Sequence, residues 1–368
     1  MKSIAIFNNK GGVGKTTLTY HVAFALAELG HRTLIVDLDP QSNITLYGLT
    51  EEQLTQIWVA EDEFIEDFEN TVKKTPPTEL AKIASGNRSI HFLLKATEDG
   101  TGEIGTLATP VELHVNLGLI PGRLTVHTFE ERIASRWSDA YRGEPLALRT
   151  VTKIRKLCAE YAAARGYEFV IVDTSPSLGI MNKVIISTVD GFMIPCMPDL
   201  FSLYGIRNIG RALALWKRDF QTMLGLLSDA KRSEFPSRFV QFLGFTIYKA
   251  KKYSTTSNPW DLAAAHYGFA ERIPKTIKDF IPVDTYQHLP ANLLERPVGG
   301  KAVMHDHMTM AANAQKYKRP IWLVPSAPNL EEGTEKNSIM GNRARYEETR
   351  EGYHAFAKEL LERMQTLS

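Results

Sequence analysis

Eight residues near the start of the chain, Lys10-Gly11-Gly12-Val13-Gly14-Lys15-Thr16-Thr17, bring three glycines together with two lysines and two hydroxyls. Glycine lacks a Cβ, so positions 11, 12 and 14 let the backbone curl until successive N–H groups face one anion. Lys15 adds a positive charge suited to the β- and γ-phosphates of a nucleotide. The Thr16 hydroxyl suits Mg²⁺, and the Thr17 hydroxyl can donate to a phosphate oxygen. The generic phosphate loop, G-x-x-x-x-G-K-[ST], would have glycine at position 9; this chain has Asn9 and then an extra lysine, Lys10. Two acidic groups complete the set. Asp37 and Asp39, in Asp37-Leu38-Asp39-Pro40-Gln41, can reach one catalytic space, one toward a metal shell and one toward an attacking water. Asp173 opens Asp173-Thr174-Ser175-Pro176-Ser177 and is placed like a Walker B carboxylate that holds Mg²⁺ through water. Phosphoryl transfer to water needs positioning and charge neutralisation more than covalent chemistry, and these residue types supply both.

Such residues work only if strands and helices deliver them to one place. Residues 3–8 form an apolar strand, and a helix follows from about Thr16 to Leu29, with Leu18, Val22, Ala25, Leu26 and Leu29 at helical spacing and Gly30 as its C-cap. Residues 32–37 form a second apolar strand. A β-α-β unit of this length implies a parallel sheet. Further strands are expected at Val115–Pro121, at 169–173, where no polar residue occurs before Asp173, at 191–195 and at Phe239–Tyr248. Helices are expected over 147–165, over Ser202 to Phe220 and over a tail from about Arg343 to Met364. The fold class is α/β: a doubly wound, mostly parallel sheet with helices on both faces, a P-loop NTPase fold carrying an inserted, partly helical segment. In such sheets ligands bind at the carboxyl ends of the strands, where all three acidic and glycine-rich segments fall. Residues 1–368 are read as a single domain. Residues 50–115 are an insertion within it, part helical and part hairpin, with loops at Pro76-Pro77 and Thr97–Gly105. Residues 339–368 are a C-terminal helix packed on the domain.

The bulk numbers narrow the choice of partner. Of 368 residues 43% are hydrophobic and 23% charged, with a net charge of +1, so any nucleic-acid contact must come from a local patch. One candidate is 201–260, with ten Lys/Arg against three Asp/Glu, including Arg207, Arg211, Lys217, Arg218, Lys249, Lys251 and Lys252. The insertion leans the other way, with nine acidic residues against three basic ones from Glu51 to Lys82. The two cysteines, Cys158 and Cys196, form no CxxC and read as packed thiols of a cytosolic protein. The N-terminus does not read as a signal peptide, and no apolar run approaches the ~18 residues of a membrane span. No [NT]KxD guanine motif is found; Asn182-Lys183-Val184 is followed by Ile185, which favours ATP over GTP.

These words together resemble the ParA/Soj/MinD family of deviant Walker A ATPases. The resemblance rests on the run from Lys10 to Thr17, Val36-Asp-Leu-Asp-Pro-Gln41, Asn116-Leu-Gly-Leu-Ile-Pro-Gly122, Val172-Asp-Thr-Ser-Pro-Ser-Leu-Gly179, Asp190-Gly-Phe-Met-Ile-Pro195 with Leu203-Tyr-Gly205, and Leu243-Gly-Phe-Thr246. It spans roughly residues 1–250. It implies a weak, Mg²⁺-dependent ATPase whose ATP is sandwiched in a homodimer. Lys10 would reach the partner's phosphates and Asp39 would position the attacking water, with Lys10, Lys15 and Asp39 as the catalytic set. Residues Lys10 to Thr17 would bind the nucleotide, and Thr16, Asp37 and Asp173 would serve the metal. It further implies nonspecific DNA as the track, a ParB-like or other cargo adaptor that stimulates hydrolysis, and a cytoplasmic bacterial protein on the nucleoid when ATP-bound. A MinD-like membrane-surface ATPase is the alternative, but the last helix is net acidic rather than basic and amphipathic. A metabolic or metallochaperone ATPase of the same superfamily lacks its cysteine pattern and a second phosphate loop here.

Overall fold

The computed structural model of the chain describes residues 1–233, 235–252 and 258–367. Its centre is a seven-stranded sheet: β1 (Lys2–Ile6), β2 (Thr33–Asp37), β3 (Val111–His114), β4 (Leu117–Ile120), β5 (Phe169–Asp173), β6 (Gly191–Cys196) and β7 (Gln241–Ile247). The spatial order is β3-β4-β2-β5-β1-β6-β7. All neighbours run parallel except β3, which pairs antiparallel with β4 at one edge. The expected doubly wound sheet is therefore present.

Alternation along the strands divides the core into two layers. Ala5, Leu34, Val36, Val170, Val172, Phe192 and Ile194 face one side, where they meet helices α2 (Pro145–Arg165), α3 (Ile180–Thr188) and α4 (Leu200–Leu226). Ile4, Ile6, Ile35, Ile171 and Met193 face the other, against α1 (Lys15–Glu28) and α5 (Arg343–Gln365). Helix α1 is buried nearly all round, because the sheet lies on one side and α5 covers the other; hence its apolar residues are not confined to one stripe. Glu28 ties that layer together, accepting from Trp322 Nε1 at 2.8 Å, Arg350 Nε at 2.9 Å and His354 Nε2 at 2.8 Å.

Element boundaries differ from expectation in places with a physical cause. Val115 is not the start of a strand; it sits exposed in the two-residue turn between β3 and β4. Pro77 opens a helix, Pro77–Ser85, rather than a loop, since the first helical position has no intrahelical partner for its missing N–H. Thr97 is the last-turn residue of a helix, Ile90–Asp99, and the loop begins only at Gly100, in left-handed conformation. Between Glu51 and Asp99 the chain forms five helices, with a small aromatic cluster of Phe64, Phe68 and Phe92. Helix α4 runs longer than its pattern and is capped by Asp199, whose carboxylate accepts from Ser202 N at 2.8 Å. Cys158 and Cys196 are buried and unbridged. Among the described residues no helix is long and apolar enough to cross a membrane.

Candidate nucleotide site

The loop between β1 and α1 is held by its neighbours on both sides. Asn8 donates to Pro195 O on β6 at 2.7 Å and accepts from Lys10 N at 2.9 Å. Gly12 and Gly14 take positive φ, +74° and +82°. Gly14 is doubly required, since a Cβ there would lie 2.1 Å from the ring of Tyr248, the residue after β7. As N-cap of α1 it offers no side-chain acceptor, so the first N–H groups of the helix remain for an anion. The result is a cleft of about 230 Å³ lined by Gly11, Gly12, Gly14, Lys15, Thr16, Thr17, Asp39, Asn43, Pro176 and Lys249. Val13 is fully buried beneath it.

Lys15 folds back over its own loop, its ammonium donating to Lys10 O at 3.3 Å. Burial lowers its pKa, and the nearby charges of Asp173 and Asp39 only partly offset that. Thr16 Oγ1 donates to Asp173 Oδ2 at 3.1 Å and Thr19 Oγ1 to Asp173 Oδ1 at 3.4 Å, so the metal-type hydroxyl and the strand-end carboxylate already touch. Burial and then the charge of Asp39 push the Asp173 carboxyl up to about 7, against the Thr16 hydrogen bond and Lys15. Among the described residues no three metal-ligating side chains converge. One carboxylate and one hydroxyl, completed by waters and phosphate oxygens, is nonetheless the donor set Mg²⁺ takes in such sites.

Asp37 and Asp39 stand in different surroundings at the end of β2. Asp37 stands directly beside Asp173 in the β2–β5 register. Its Oδ1 accepts from Asp39 N at 3.1 Å, and its Oδ2 from Thr45 N at 3.1 Å and Thr45 Oγ1 at 2.5 Å. A Cβ on Gly122 would come within 2.8 Å of Oδ2, so the loop after β4 closes over it. Both oxygens of Asp37, expected in the metal shell, thus also hold the turn that follows β2. Its carboxyl is pushed well up by burial and by Asp173. Asp39 lines the cleft, where its carboxylate accepts from Gln41 N at 3.0 Å and Asn43 Nδ2 at 3.4 Å.

Lys10 points away from the cleft. Its ammonium forms an ion pair with Asp199 and lies 5.7 Å from the Phe201 ring centroid. Burial works to raise the Asp199 carboxyl, but the Lys10 and Ser202 hydrogen bonds outweigh it and hold it below its ordinary value. The first turn of α4 adjoins this rim, with Gly205 against Asn8 and Asn9, and it exposes Leu200, Phe201 (72%) and Tyr204 (54%).

Three lining residues were not singled out for the cleft from sequence: Asn43, Pro176 and Lys249. The first two follow the strand-end aspartates and were legible as such; Lys249 was seen only as part of a basic run. Of that run, Lys217 pairs with Asp284, and Arg207 lies 5.3 Å from the Phe280 ring, while Lys251 and Lys252 are exposed. Residues 234 and 253–257 of the 201–260 stretch lie outside the described residues, as does Ser368. Asn182 sits inside α3 and donates to Ser175 O at 2.9 Å and Ser177 O at 2.8 Å, fixing the loop after β5.

Known proteins resemble this chain in sequence and in fold. Residues 1–225 match a family model described as an AAA domain. The sporulation initiation inhibitor protein Soj of Bacillus subtilis is 27% identical over 223 residues, 61% of this chain and 69% of Soj. The chromosome partitioning protein ParA of Myxococcus xanthus is 29% identical over 219 residues, covering 58% of this chain and 59% of that protein. Among solved structures, pNOB8 ParA bound to nonspecific DNA superposes with a TM-score of 0.52 at 18% identity, over 99% of this chain and 98% of that one, a likeness of fold.

Proposed function

The chain belongs to the AAA-domain family, in its ParA-like group of P-loop partition ATPases, and from that premise we propose that it binds ATP with Mg²⁺, dimerises around it, and positions DNA or a protein cargo. The observation that carries the proposal is the Thr16–Asp173 contact beside Lys15 in a glycine-lined cleft. The N–H groups of residues 10–17 wrap the phosphates, and Lys15 leaves the Lys10 carbonyl for the β- and γ-oxygens. Thr16 and Asp173 would hold Mg²⁺. When bound, the metal neutralises phosphate charge. Asp39 orients the attacking water, and Asp37 holds the turn that carries Asp39. Hydrolysis by these groups alone is slow, and an adaptor of the ParB kind accelerates it.

Two features support the dimer. Lys10 is held outside its own cleft by Asp199, beside the Phe201 ring, rather than over its own phosphate loop. The exposed Leu200, Phe201 and Tyr204 rim the same opening. Two features support DNA over lipid as the track: the basic surface after β7, and the packing of α5 on α1, which occupies the apolar side of that helix. We read residues 1–368 as one domain with 50–115 inserted and 339–368 packed upon it, working in the cytoplasm and on the nucleoid when ATP-bound.

The test is a shift assay on random-sequence duplex DNA with ATP, ADP or no nucleotide, beside liposome pelleting. Binding confined to ATP and Mg²⁺, falling steeply with salt, is expected. Nucleotide-independent binding, or pelleting with liposomes instead, refutes the reading.

A further inference from the structure

We propose that Lys249 is a ligand for the terminal phosphate of the bound nucleoside triphosphate, supplied to the cleft by the segment after β7. The proposal rests on the nucleotide-binding reading above and adds to it a third cation that the phosphate-loop motif does not contain.

Lys249 has φ +56°, in the left-handed region that a residue with a Cβ seldom adopts. The backbone on either side is pinned. Tyr248 is buried with its ring on Gly14, and its N–H donates to Cys196 O at 2.8 Å. Ala250 is fully buried; its N–H donates to Met304 O at 2.9 Å and its carbonyl accepts from Asp306 N at 3.2 Å. Between these two anchors Lys249 is exposed, and it lines the cleft together with Gly11, Gly12 and Asp39. Backbone strain at a polar residue that faces a ligand cleft, kept by well-anchored neighbours, points to function rather than to packing.

The electrostatics agree. Lys10 is paired with Asp199, and Lys15 is bonded to the Lys10 carbonyl. Among the described residues the Lys249 ammonium has neither an ion pair nor a hydrogen bond. An unpartnered cation at a cleft that also holds Asp39 and Asn43 is poised for an anion arriving there. Asp39, the candidate for orienting water at the γ-phosphorus, lines the same cleft as Lys249, and on that reading Lys249 is assigned to the terminal phosphate. Lys251 and Lys252 do not line the cleft, which separates Lys249 from the basic surface it belongs to in sequence.

The experiment measures Mg²⁺-dependent affinity for a non-hydrolysable ATP analogue and for ADP by calorimetry, in wild type, Lys249→Ala, Lys249→Arg and Lys249→Gly, with thermal melting of each and DNA binding at saturating nucleotide. One charge-assisted hydrogen bond at a half-open site corresponds to about a tenfold effect. Lys249→Ala is therefore expected to weaken the triphosphate analogue about tenfold and ADP less than twofold, and Lys249→Arg to retain most of the affinity. Lys249→Gly should lose triphosphate affinity like alanine yet melt above wild type, because glycine relieves the positive φ. Unchanged triphosphate affinity in Lys249→Ala overturns the proposal. So does an equal loss for ADP, or a loss of DNA binding with nucleotide affinity intact. Wild type that binds neither nucleotide overturns the underlying reading and this one with it, whereas wild-type binding with an indifferent Lys249→Ala overturns this one alone.

Discussion

Replacing Asp173 with asparagine should stabilise the nucleotide-free protein while abolishing Mg²⁺-dependent hydrolysis. Asp173 is fully buried between β1 and β2, its carboxyl is pushed from 3.8 up to about 7 by burial and then by Asp39, and Asp37 stands beside it in register. The folded state thus holds a proton that the unfolded chain releases between pH 4 and 7. The stability contributed by that proton is complete below pH 4, is lost as pH rises through 7, and stays level above. One unit of pKa is about 1.4 kcal/mol, so the three-unit shift sets a ceiling of about 4 kcal/mol on the cost of the ionised group at pH 8. Relaxation and water entry in real interiors bring such costs down by roughly half. Asparagine is neutral, nearly the same shape, and its amide oxygen still accepts from Thr16. Urea denaturation at pH 8 should therefore show Asp173→Asn more stable by about 2–4 kcal/mol, shrinking to about 1 kcal/mol at pH 5, where the wild-type carboxyl is already mostly protonated. A difference that is the same at both pH values, or a variant less stable than wild type at pH 8, refutes the reasoning. Retained hydrolysis would refute the metal role.

Two further outcomes concern the scaffold. Glu98 is opposed by burial but brought down to about 2 by hydrogen bonds from His91 and Lys95, so it contributes roughly 3 kcal/mol above pH 4.5 that disappears as pH falls toward 2. Glu98→Gln should flatten the acid limb of the stability curve, and an unaltered limb would contradict the assignment. Arg363 is fully buried; it pairs with Glu359 at 2.6 Å and donates to Leu243 O at 3.0 Å beside the Gly244 bulge of β7. Arg363→Ala should cost about 3–5 kcal/mol in denaturant titration, because Glu359 and the strand carbonyl lose their donor.

Much of the site was legible because strand ends and glycine-rich turns carry strong local signals. The carboxyl end of a buried strand is where an aspartate escapes the apolar pattern, and Asp37 and Asp173 were found that way. What a strand end does not reveal is which donors turn toward the carboxylate. Thr45 and the Asp39 N–H come from the next turn, so the hydrogen bonds by which Asp37 holds that turn were hidden. Lys249 was hidden for a related reason. Its position depends on a single positive φ between Tyr248 and Ala250, and nothing in the composition of Lys249-Ala250-Lys251-Lys252 distinguishes the first lysine from the others. The last hundred residues were least legible. Before α5 their helices are short, and part of their attachment to α1 runs through polar contacts that no periodicity announces, such as Ile321 N–H donating to His21 Nε2 at 3.1 Å while His21 Nδ1 bonds Thr17 O at 2.7 Å. His21 falls within the helix expected from about Thr16 to Leu29, and its buried neutral ring joins the C-terminal region to the phosphate-loop helix, with burial pushing its pKa down to about 3.

The charges around the cleft explain why such a site needs its ligand. Asp37, Asp39 and Asp173 crowd one end, with two of the three carboxyls pushed up by burial and mutual repulsion. Lys15 stands nearby, weakened as a cation by its own burial and directed at a backbone carbonyl rather than at a counter-ion. The two kinds of charge are thus held close without neutralising each other fully. A divalent cation at Thr16 and Asp173 relieves the carboxylate side, and a triphosphate relieves the ammonium side. Neither ligand alone does both, so each should raise the affinity for the other, and the coupling must be reciprocal. On the proposed function, metal-dependent nucleotide binding is the outcome expected of this arrangement of buried charge. An ADP complex, which leaves the Asp39 end of the cleft without a phosphate, would retain part of the repulsion that the triphosphate removes.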